Sequence, residues 1–375
     1  MHLRERGRPL LSSYSKARSE SMLKTPAMSE QNVLTGRLCP LEAGLQPHQF
    51  RPRVALLSNP KSTGNIAQLP RIREYCADHP DVFHYEVEAA DQIGEAMKVI
   101  ARIRPKVLAI NGGDGTVQAA LTEIYNGAHF GDEPPPVAVL PSGKTNLIAL
   151  DLGARGDPVA TLEKLIALAR TDLKPFTVQR ELIALRRPGD NDSEDRPVIG
   201  MFLGGARLAE AMLYCREKIY PLGLPNSVAH VIAAIAAFMK LFLGLKADFL
   251  PPDTKPLSLS LSERDPLNGR FSLLMVTTME RVLMSMDLGD RRQGALKLLA
   301  VEDRPDTVLG AFLASVAGRL GRKRMRGVHF EQADEILIEG DSNELILDGE
   351  TFRAEMGRPI HLRAAQPLSF VKLAA

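Results

Sequence analysis

Short apolar runs alternate with helical patterns in the first folded part of the chain. The runs at 54–58, 82–87, 106–110 and 136–140 are each bounded by polar or glycine-containing segments and predict strands. The segments between them predict helices, and in one of these segments Ile93, Met97 and Ile100 recur at helical spacing. Strands that alternate with helices are typical of a parallel sheet with helices on both faces.

The pattern changes after residue 175, where short alternating strands follow one another with turn residues between them. These predict a β-rich, sandwich-like domain. The predicted strands are 176–187, 197–203, 257–262, 271–277, 295–301, 327–330, 335–339, 344–347, 351–355 and 359–364. We therefore predict three parts, which are an extension at 1–50, an α/β nucleotide-binding domain at 51–175 and a β-rich domain at 176–375.

The first fifty residues are rich in Arg, Lys, Ser and Pro, and no apolar period is sustained there. This composition favours a disordered basic extension. A transit peptide, a start misassigned upstream of Met28 and a plain solvated tail remain open alternatives.

Three polar loops follow strands whose carboxyl ends lie at one edge of the predicted sheet, where ligands bind in folds of this class. They are 59–64 (NPKSTG), 111–116 (NGGDGT) and 141–146 (PSGKTN). In the second loop the paired glycines let the backbone approach a ligand, and the following helix N-terminus suits phosphate. Asp114 offers a carboxylate for Mg²⁺, a ribose or water, although an Asp at the start of a helix also serves as a cap.

The third loop looks like the end of a P-loop, but the glycine required five residues before Gly143 is replaced by Ala138 within a strand. A true P-loop is therefore excluded. Lys144 either reaches a phosphate as a point charge or is a solvated loop residue.

Composition narrows the classes of function. The 375 residues carry a formal net charge of only +2 and contain no Trp, which argues against nucleic acid as a partner. Three scattered Cys form neither a disulfide framework nor a zinc motif, and a reducing, cytoplasmic location is expected. No cluster of His and Cys suggests a zinc site.

Four motifs in this order resemble those of the diacylglycerol-kinase-like lipid kinases. The residues that carry the resemblance are Asn59 and Pro60, then Gly112, Gly113, Asp114, Gly115 and Thr116, then Pro141, Gly143, Asn146 and Ala149, and finally Asp348, Gly349 and Glu350. The resemblance spans residues 53–375. It implies an α/β domain followed by a β-rich domain, with the active site in the cleft between them.

The resemblance also implies roles for single residues. Asn59 would contact the nucleotide, and Gly112, Gly113, Asp114, Gly115 and Thr116 would hold the phosphates of ATP, with Gly143, Lys144 and Thr145 beside them. Asp348 would be the general base that activates a lipid hydroxyl, and Glu350 its companion near Mg²⁺. From the residues alone, 348–350 reads equally as a hairpin turn.

Several positions depart from the family pattern. Lys144 stands where a Thr is expected, Leu147 where an Asp is expected, and Gln118 and Ala119 where Asn and Glu are common. The segment at 292–297 lacks the acidic residues that bind a structural metal in many bacterial relatives, so that metal is expected to be absent. An NAD kinase-like enzyme and a diverged nucleotide- or lipid-binding protein are therefore kept as alternatives.

Two segments suggest contact with a membrane surface. Residues 228–245 are almost wholly apolar, and we predict a packed helix because Lys240 would be costly inside a span. A basic run at 319–326 is either a solvated helix end or a site for anionic headgroups. The expected partners are ATP and a lipid at the membrane surface; the sequence does not indicate the lipid or the oligomeric state.

Overall fold

Alternating strands and helices build a four-stranded parallel sheet in the first part of the computed structural model. The structure describes residues 52–187, 196–214, 254–262, 264–280, 294–321 and 324–373. The elements of this part are β1 (Val54–Ser58), α1 (Asn65–Ala77), β2 (Val82–Glu86), α2 (Ile93–Ile103), β3 (Val107–Gly112), α3 (Asp114–Gly127), β4 (Val137–Pro141), α4 (Leu147–Asp151) and α5 (Pro158–Arg170). The strand order is β4-β3-β1-β2, and every pairing among these strands is parallel.

Burial explains why these segments fold as predicted. All five residues of β1 and all six of β3 are buried, as expected for strands covered on both faces. The connection through α1 and the connection through α2 run in opposite directions along the sheet, so right-handed crossovers place these helices on opposite faces. Ile93, Met97 and Ile100 of α2 are buried, which confirms the helical period seen in the sequence.

The second part is rich in strands, as predicted. Its elements are β5 (Thr177–Arg186), β6 (Val198–Gly200), β7 (Phe202–Gly205), α6 (Arg207–Tyr214), β8 (Pro256–Leu261), β9 (Leu267–Thr277), β10 (Leu296–Glu302), α7 (Pro305–Val316), β11 (Val328–Ala333), β12 (Glu335–Gly340), β13 (Asn343–Leu347), β14 (Glu350–Ala354) and β15 (Ile360–Val371). The helices α6 and α7 were not predicted. The predicted fold class, an α/β domain with a parallel sheet followed by a β-rich region, is confirmed.

An apolar core fills this β-rich part. Leu259, Ile338 and Leu362 reach it from β8, β12 and β15, while Leu274 and Leu298 reach it from β9 and β10. The buried residues of β8, β12 and β15 alternate with less buried ones over part of each strand, whereas Leu274 begins a continuous buried run at the end of β9. Inward-facing residues from several antiparallel strands meet in this way in a sandwich.

The strand predicted at 197–203 is in fact two strands, β6 and β7, which part at Met201. Strand β6 pairs with β5, whereas β7 pairs with β9 and β13. The chain changes partners there because the N–H groups of Met201 and Phe202 bond a buried carboxylate, that of Asp348, instead of a neighbouring strand.

Strand β15 joins the β-rich part to the parallel sheet. It pairs with β5 and β12 along most of its length, and near its end Phe370 lies beside Val137 of β4 in parallel register. The Leu373 N–H then donates to the Leu152 carbonyl at 2.8 Å. The predicted boundary at 175/176 stays a prediction.

Several predicted features lie outside the described residues: the extension at 1–50, the apolar segment at 228–245, Arg292 and Gln293 of the metal-like segment, and Arg322 and Lys323 of the basic run. Among the helices that are described, none combines the length and apolar character needed to cross a membrane.

Candidate nucleotide site

The three loops predicted from the sequence meet at the carboxyl edge of the parallel sheet. The Asn59 N–H donates to the Asn111 carbonyl at 2.9 Å, and the Asn59 side-chain amide donates to Thr116 Oγ1 at 2.9 Å. The Ser62 hydroxyl donates to the Ser142 carbonyl at 2.8 Å. These bonds fix all three loops relative to one another.

The loops lie so close together that two positions, 64 and 143, have room only for glycine. A Cβ on Gly143 would lie 2.8 Å from the Gly113 Cα, and a Cβ on Gly64 would lie 2.5 Å from the Ser142 carbonyl oxygen. Such distances are not tolerated between carbon and backbone atoms. The loops therefore touch backbone to backbone, with no side chain between them.

The loops enclose one side of a cavity of about 500 Å³. Residues 349 and 350 close the other side. The lining residues are Asn59, Lys61, Ser62, Thr63, Val87, Ala89, Ala90, Ile93, Gly113, Asp114, Gly115, Thr116, Gly143, Lys144, Thr145, Gly349 and Glu350. Of the residues predicted for the site, only Gly112 and Asp348 do not line it.

Gly112 lies directly behind the cavity. It is the last residue of β3, and a Cβ there would lie 2.6 Å from the Cβ of Thr116. It therefore lets the first turn of α3 pack onto the end of the strand.

Asp114 is the first residue of α3, and its carboxylate lies at the N-terminus of α4. Burial raises the pKa of Asp114 to about 6, and hydrogen bonds from the backbone N–H groups of Ile148, Asn146 and Leu147 hold that pKa down in part. The carboxylate thus links the second loop to the third by stabilising the first turn of α4. The sequence had suggested that Asp114 could cap its own helix; that cap position is taken by Gly113 instead.

Asp348 is buried, with 5% of its surface exposed, behind the cavity wall. Its carboxylate accepts hydrogen bonds from the N–H groups of Met201 at 2.7 Å and Phe202 at 3.0 Å. Burial raises the pKa of Asp348 to about 8; the Met201 and Phe202 N–H groups oppose this rise, and the negative charge of Asp114 adds to it. Its backbone has φ of 45°, a left-handed conformation that Asp tolerates in turns.

Residues 348–350 form an acidic turn, and Glu350 presents its exposed carboxylate to the cavity. A Cβ on Gly115 would lie 3.1 Å from its Oε1 atom, so the first turn of α3 and the acidic turn are in close contact. Asp348 and Glu350 consequently lie on opposite sides of the turn, one behind the wall and one in the cavity.

A row of polar side chains on α3 holds this arrangement, and sequence reasoning missed its role. The Gln118 amide donates to the Leu347 carbonyl at 3.2 Å, Thr122 Oγ1 accepts from the Ile199 N–H at 3.0 Å, and the Asn126 amide donates to the Pro197 carbonyl at 2.9 Å. The spacing of four residues was the available signal, since it places all three on one helix face. Gln118, which departs from the family pattern, is a contact between α3 and the residue preceding Asp348.

Behind the loops, a chain of polar side chains runs across β3, β1 and β2. Asn111 donates to Ser58 Oγ at 2.9 Å, and His84 Nε2 lies 2.8 Å from the same oxygen. Burial lowers the pKa of His84 to about 4, although Glu86 opposes this. His84 is therefore neutral at pH 7.

We expect this histidine to make the fold sensitive to acid. Its folded pKa lies below the ordinary value of 6.5, so the unfolded chain binds the proton first and stability is lost as the pH falls from about 6.5 to 4. His84→Gln can keep a polar group against Ser58 but does not titrate. Urea unfolding at several pH values should show a smaller loss for the variant than for the wild type; equal losses would contradict the assignment.

No group of three or more His, Cys, Asp or Glu suited to a metal occurs among the described residues. The carboxylate that faces the cavity from the acidic turn is that of Glu350. Together with phosphate oxygens, one such carboxylate is a sufficient protein contribution for Mg²⁺, which commonly keeps several waters.

Known proteins agree with this architecture. Residues 53–178 match the model of the diacylglycerol kinase catalytic domain. A solved diacylglycerol kinase from Bacillus anthracis str. Sterne is 15% identical with a TM-score of 0.53, over 86% of this chain and 97% of that chain. A diacylglycerol kinase candidate from the same organism is 16% identical with a TM-score of 0.58, over 85% and 97%.

An NAD kinase from Archaeoglobus fulgidus in complex with ATP is 11% identical with a TM-score of 0.43, over 85% of this chain and 93% of that chain. A sequence comparison with curated proteins returned no match.

Proposed function

We propose that the chain, whose residues 53–178 match the model of the diacylglycerol kinase catalytic domain, is an ATP-dependent lipid kinase. It transfers the γ-phosphate of ATP to a hydroxyl of a diacylglycerol-like or sphingoid lipid, which it meets at the cytoplasmic membrane surface. The observation that carries this proposal is the convergence of three glycine-containing loops and an acidic turn on one cavity of about 500 Å³.

The lining of the cavity supports a nucleoside triphosphate as the ligand. Backbone from residues 113 and 143 forms its floor without a side chain in between, and the N-terminus of α3 adds N–H groups that favour an anion. Lys61, Lys144 and the polar residues Asn59, Thr116 and Thr145 surround this floor. In this proposal they bind and orient the phosphates, with Asn59 and Thr116 held together by their hydrogen bond.

Glu350 would hold Mg²⁺ together with phosphate oxygens. When bound, the ion neutralises charge that develops on the transferred phosphoryl group. The contact between Gly115 and Glu350 keeps this carboxylate next to the phosphate-binding loop.

Asp348 would take the proton from the lipid hydroxyl. In its ionised form, a carboxylate whose pKa is raised to about 8 is a stronger base than an ordinary carboxylate, and the ionised fraction grows as the pH rises toward 8. The N–H groups of Met201 and Phe202 orient this carboxylate.

Two alternatives deserve inclusion in the assay. An NAD kinase-like activity would use the same glycine loop with a different acceptor. A diverged binding protein is favoured by two observations: the Asp114 carboxylate is engaged by the N-terminus of α4, and Asp348 is shielded behind the cavity wall.

The test measures transfer of labelled γ-phosphate from ATP with Mg²⁺ to diacylglycerol, ceramide, sphingosine and NAD. Transfer to a lipid supports the proposal, transfer only to NAD replaces it with the NAD kinase-like activity, and ATP binding without transfer to any acceptor supports the diverged protein.

Asp114→Ala should lower ATP affinity at least about tenfold and abolish most transfer, because the α4 N–H groups lose a charged acceptor and the third loop loosens. Asp157→Ala is the matched control, since Asp157 also stands at a helix N-terminus but lies outside the cavity. Equal ATP affinities for wild type and Asp114→Ala, measured by calorimetric titration, would show that the second loop is only a turn.

A further inference from the structure

Helix α7 presents an apolar face to solvent. Leu309, Phe312 and Leu313 are 42%, 62% and 58% exposed, although its other face packs through Ala311 into the core. These three residues are spaced three and four apart, so they form one stripe. Three of the six exposed large apolar side chains among the described residues lie in this stripe of five positions.

Helix α7 carries too few charged residues for a helix whose apolar face is exposed to solvent. Asp306 in its first turn is the only charged residue of the twelve-residue helix. A surface helix normally opposes its apolar face with charged residues, and a helix that is apolar on most sides requires a covering partner. At about 18 Å this helix is too short to span a bilayer core, so a partner along its side is required.

Basic residues border the stripe on two sides. Arg319 is exposed just past the end of the helix. The chain turns back there, because the Gly318 N–H donates to the Ser315 carbonyl and the Arg319 N–H donates to the Ala314 carbonyl. Leu320, which is buried, anchors this turn. Positive charge there is also favoured by the helix dipole.

The chain then returns alongside the helix. The Met325 methyl lies 3.3 Å from where a Cβ of Gly310 would be, so the turn that contains exposed Arg324 and Arg326 passes beside the middle of α7. None of these three arginines pairs with an acidic side chain within the part of the chain that the structure describes.

We infer that the Leu309–Phe312–Leu313 stripe, bordered by Arg319, Arg324 and Arg326, is a docking surface for an anionic membrane. Charge complementarity selects this occupant: apolar side chains enter the acyl region while arginines meet anionic headgroups around them. The inference deepens the proposed lipid kinase function by naming where the protein touches the bilayer, but the binding needs neither ATP nor turnover.

The experiment is cosedimentation of the whole protein with vesicles, without nucleotide, so a failed kinase assay does not affect it. Vesicles of phosphatidylcholine with phosphatidylserine are compared with phosphatidylcholine alone. The wild type should bind the anionic vesicles more tightly, and binding should weaken as salt rises, since exposed charges are screened over about 8 to 10 Å at physiological ionic strength.

Phe312→Ser combined with Leu313→Ser should lower the vesicle partition constant at least about tenfold. Met356→Ser is the matched control, because Met356 is 72% exposed in a turn far along the chain from α7. Arg324→Gln with Arg326→Gln should remove most of the preference for anionic vesicles, while the exposed pair Arg102→Gln with Arg155→Gln should not.

Three outcomes overturn the inference. The first is that the wild type does not bind anionic vesicles, and the second is that the Phe312/Leu313 variant binds them as tightly as the wild type does. The third is that the two serine substitutions convert a dimer to a monomer while vesicle binding persists. The last outcome would identify a second copy of the chain as the occupant. Thermal unfolding of both variants near the wild-type temperature confirms that the fold is kept.

Discussion

Asp348→Asn is expected to lower turnover by about 10²–10⁴-fold while ATP affinity changes little. An amide cannot accept the hydroxyl proton, and the residues that would bind ATP lie on the other side of the cavity wall. Asn tolerates the left-handed backbone at this position as well as Asp does. Single-turnover rates and ATP titrations of both proteins measure the two effects separately.

Asp348→Asn is also expected to lower the stability of the folded protein, so stability has to be measured alongside turnover. Asp348 accepts from two backbone N–H groups, whereas the amide has one accepting oxygen and directs its NH₂ toward the other donor. One unsatisfied bond costs about 1–3 kcal/mol of stability. A folded Asp348→Asn protein that binds ATP but turns over at the wild-type rate would show that Asp348 is a turn residue only.

The pH dependence provides a second measurement on the same residue. Because the pKa of Asp348 is raised to about 8, wild-type turnover should increase as the pH rises from 6 to 8 and then level off. Stability should change in the opposite direction: the unfolded carboxyl ionises at about 4, so the folded protein loses stability as the pH rises from there through 8. Asp348→Asn removes both contributions.

Gly143→Ala is expected to weaken ATP binding by roughly 10- to 100-fold, which corresponds to an overpacking cost of about 1–3 kcal/mol. The new methyl would lie 2.8 Å from the Gly113 Cα, so two backbone segments must separate. That separation moves both loops at the floor of the cavity. Isothermal titration with ATP, in the presence and absence of Mg²⁺, gives the affinity.

Gly94→Ala is the matched control for this loop variant. Gly94 lies in helix α2 of the same α/β part. A Cβ there would lie 3.4 Å from the Glu123 side chain, which is an ordinary van der Waals distance. Its ATP affinity should equal that of the wild type and its stability should rise slightly, since Ala favours a helix. If Gly143→Ala also binds ATP normally, the contact between the two loops does not shape the binding site.

The elements of the α/β half could be predicted because their signals are local. A buried strand such as β3 reads as a continuous apolar run, and its end is marked by glycines that the tight connection requires. The convergence of three loops also followed from pattern alone, since the carboxyl ends of parallel strands share one edge. The acidic turn at 348–350 came from the family resemblance, because its residues by themselves equally predict a hairpin.

What the sequence did not show depends on contacts between distant segments. The direction of the Asp348 side chain is set by N–H groups at Met201 and Phe202, and nothing near residue 348 encodes them. The break between β6 and β7 has the same cause. Helix α7 was not predicted because it has no charged face opposite its apolar residues. In most surface helices the alternation of apolar and charged positions reveals the helical period.

The end of β15 also affects the order in which the chain can fold during synthesis. Strand β4 pairs with β3 on one side and with β15, at Phe370, on the other. Phe370 is synthesised long after residue 137, so this second edge of β4 stays unpaired until the end of the chain is made. Until then the nascent α/β sheet carries an open strand edge, the kind of edge on which chains associate wrongly. Even a short deletion at 368–373 would therefore be expected to damage the distant nucleotide-binding half and to make newly made protein prone to aggregation.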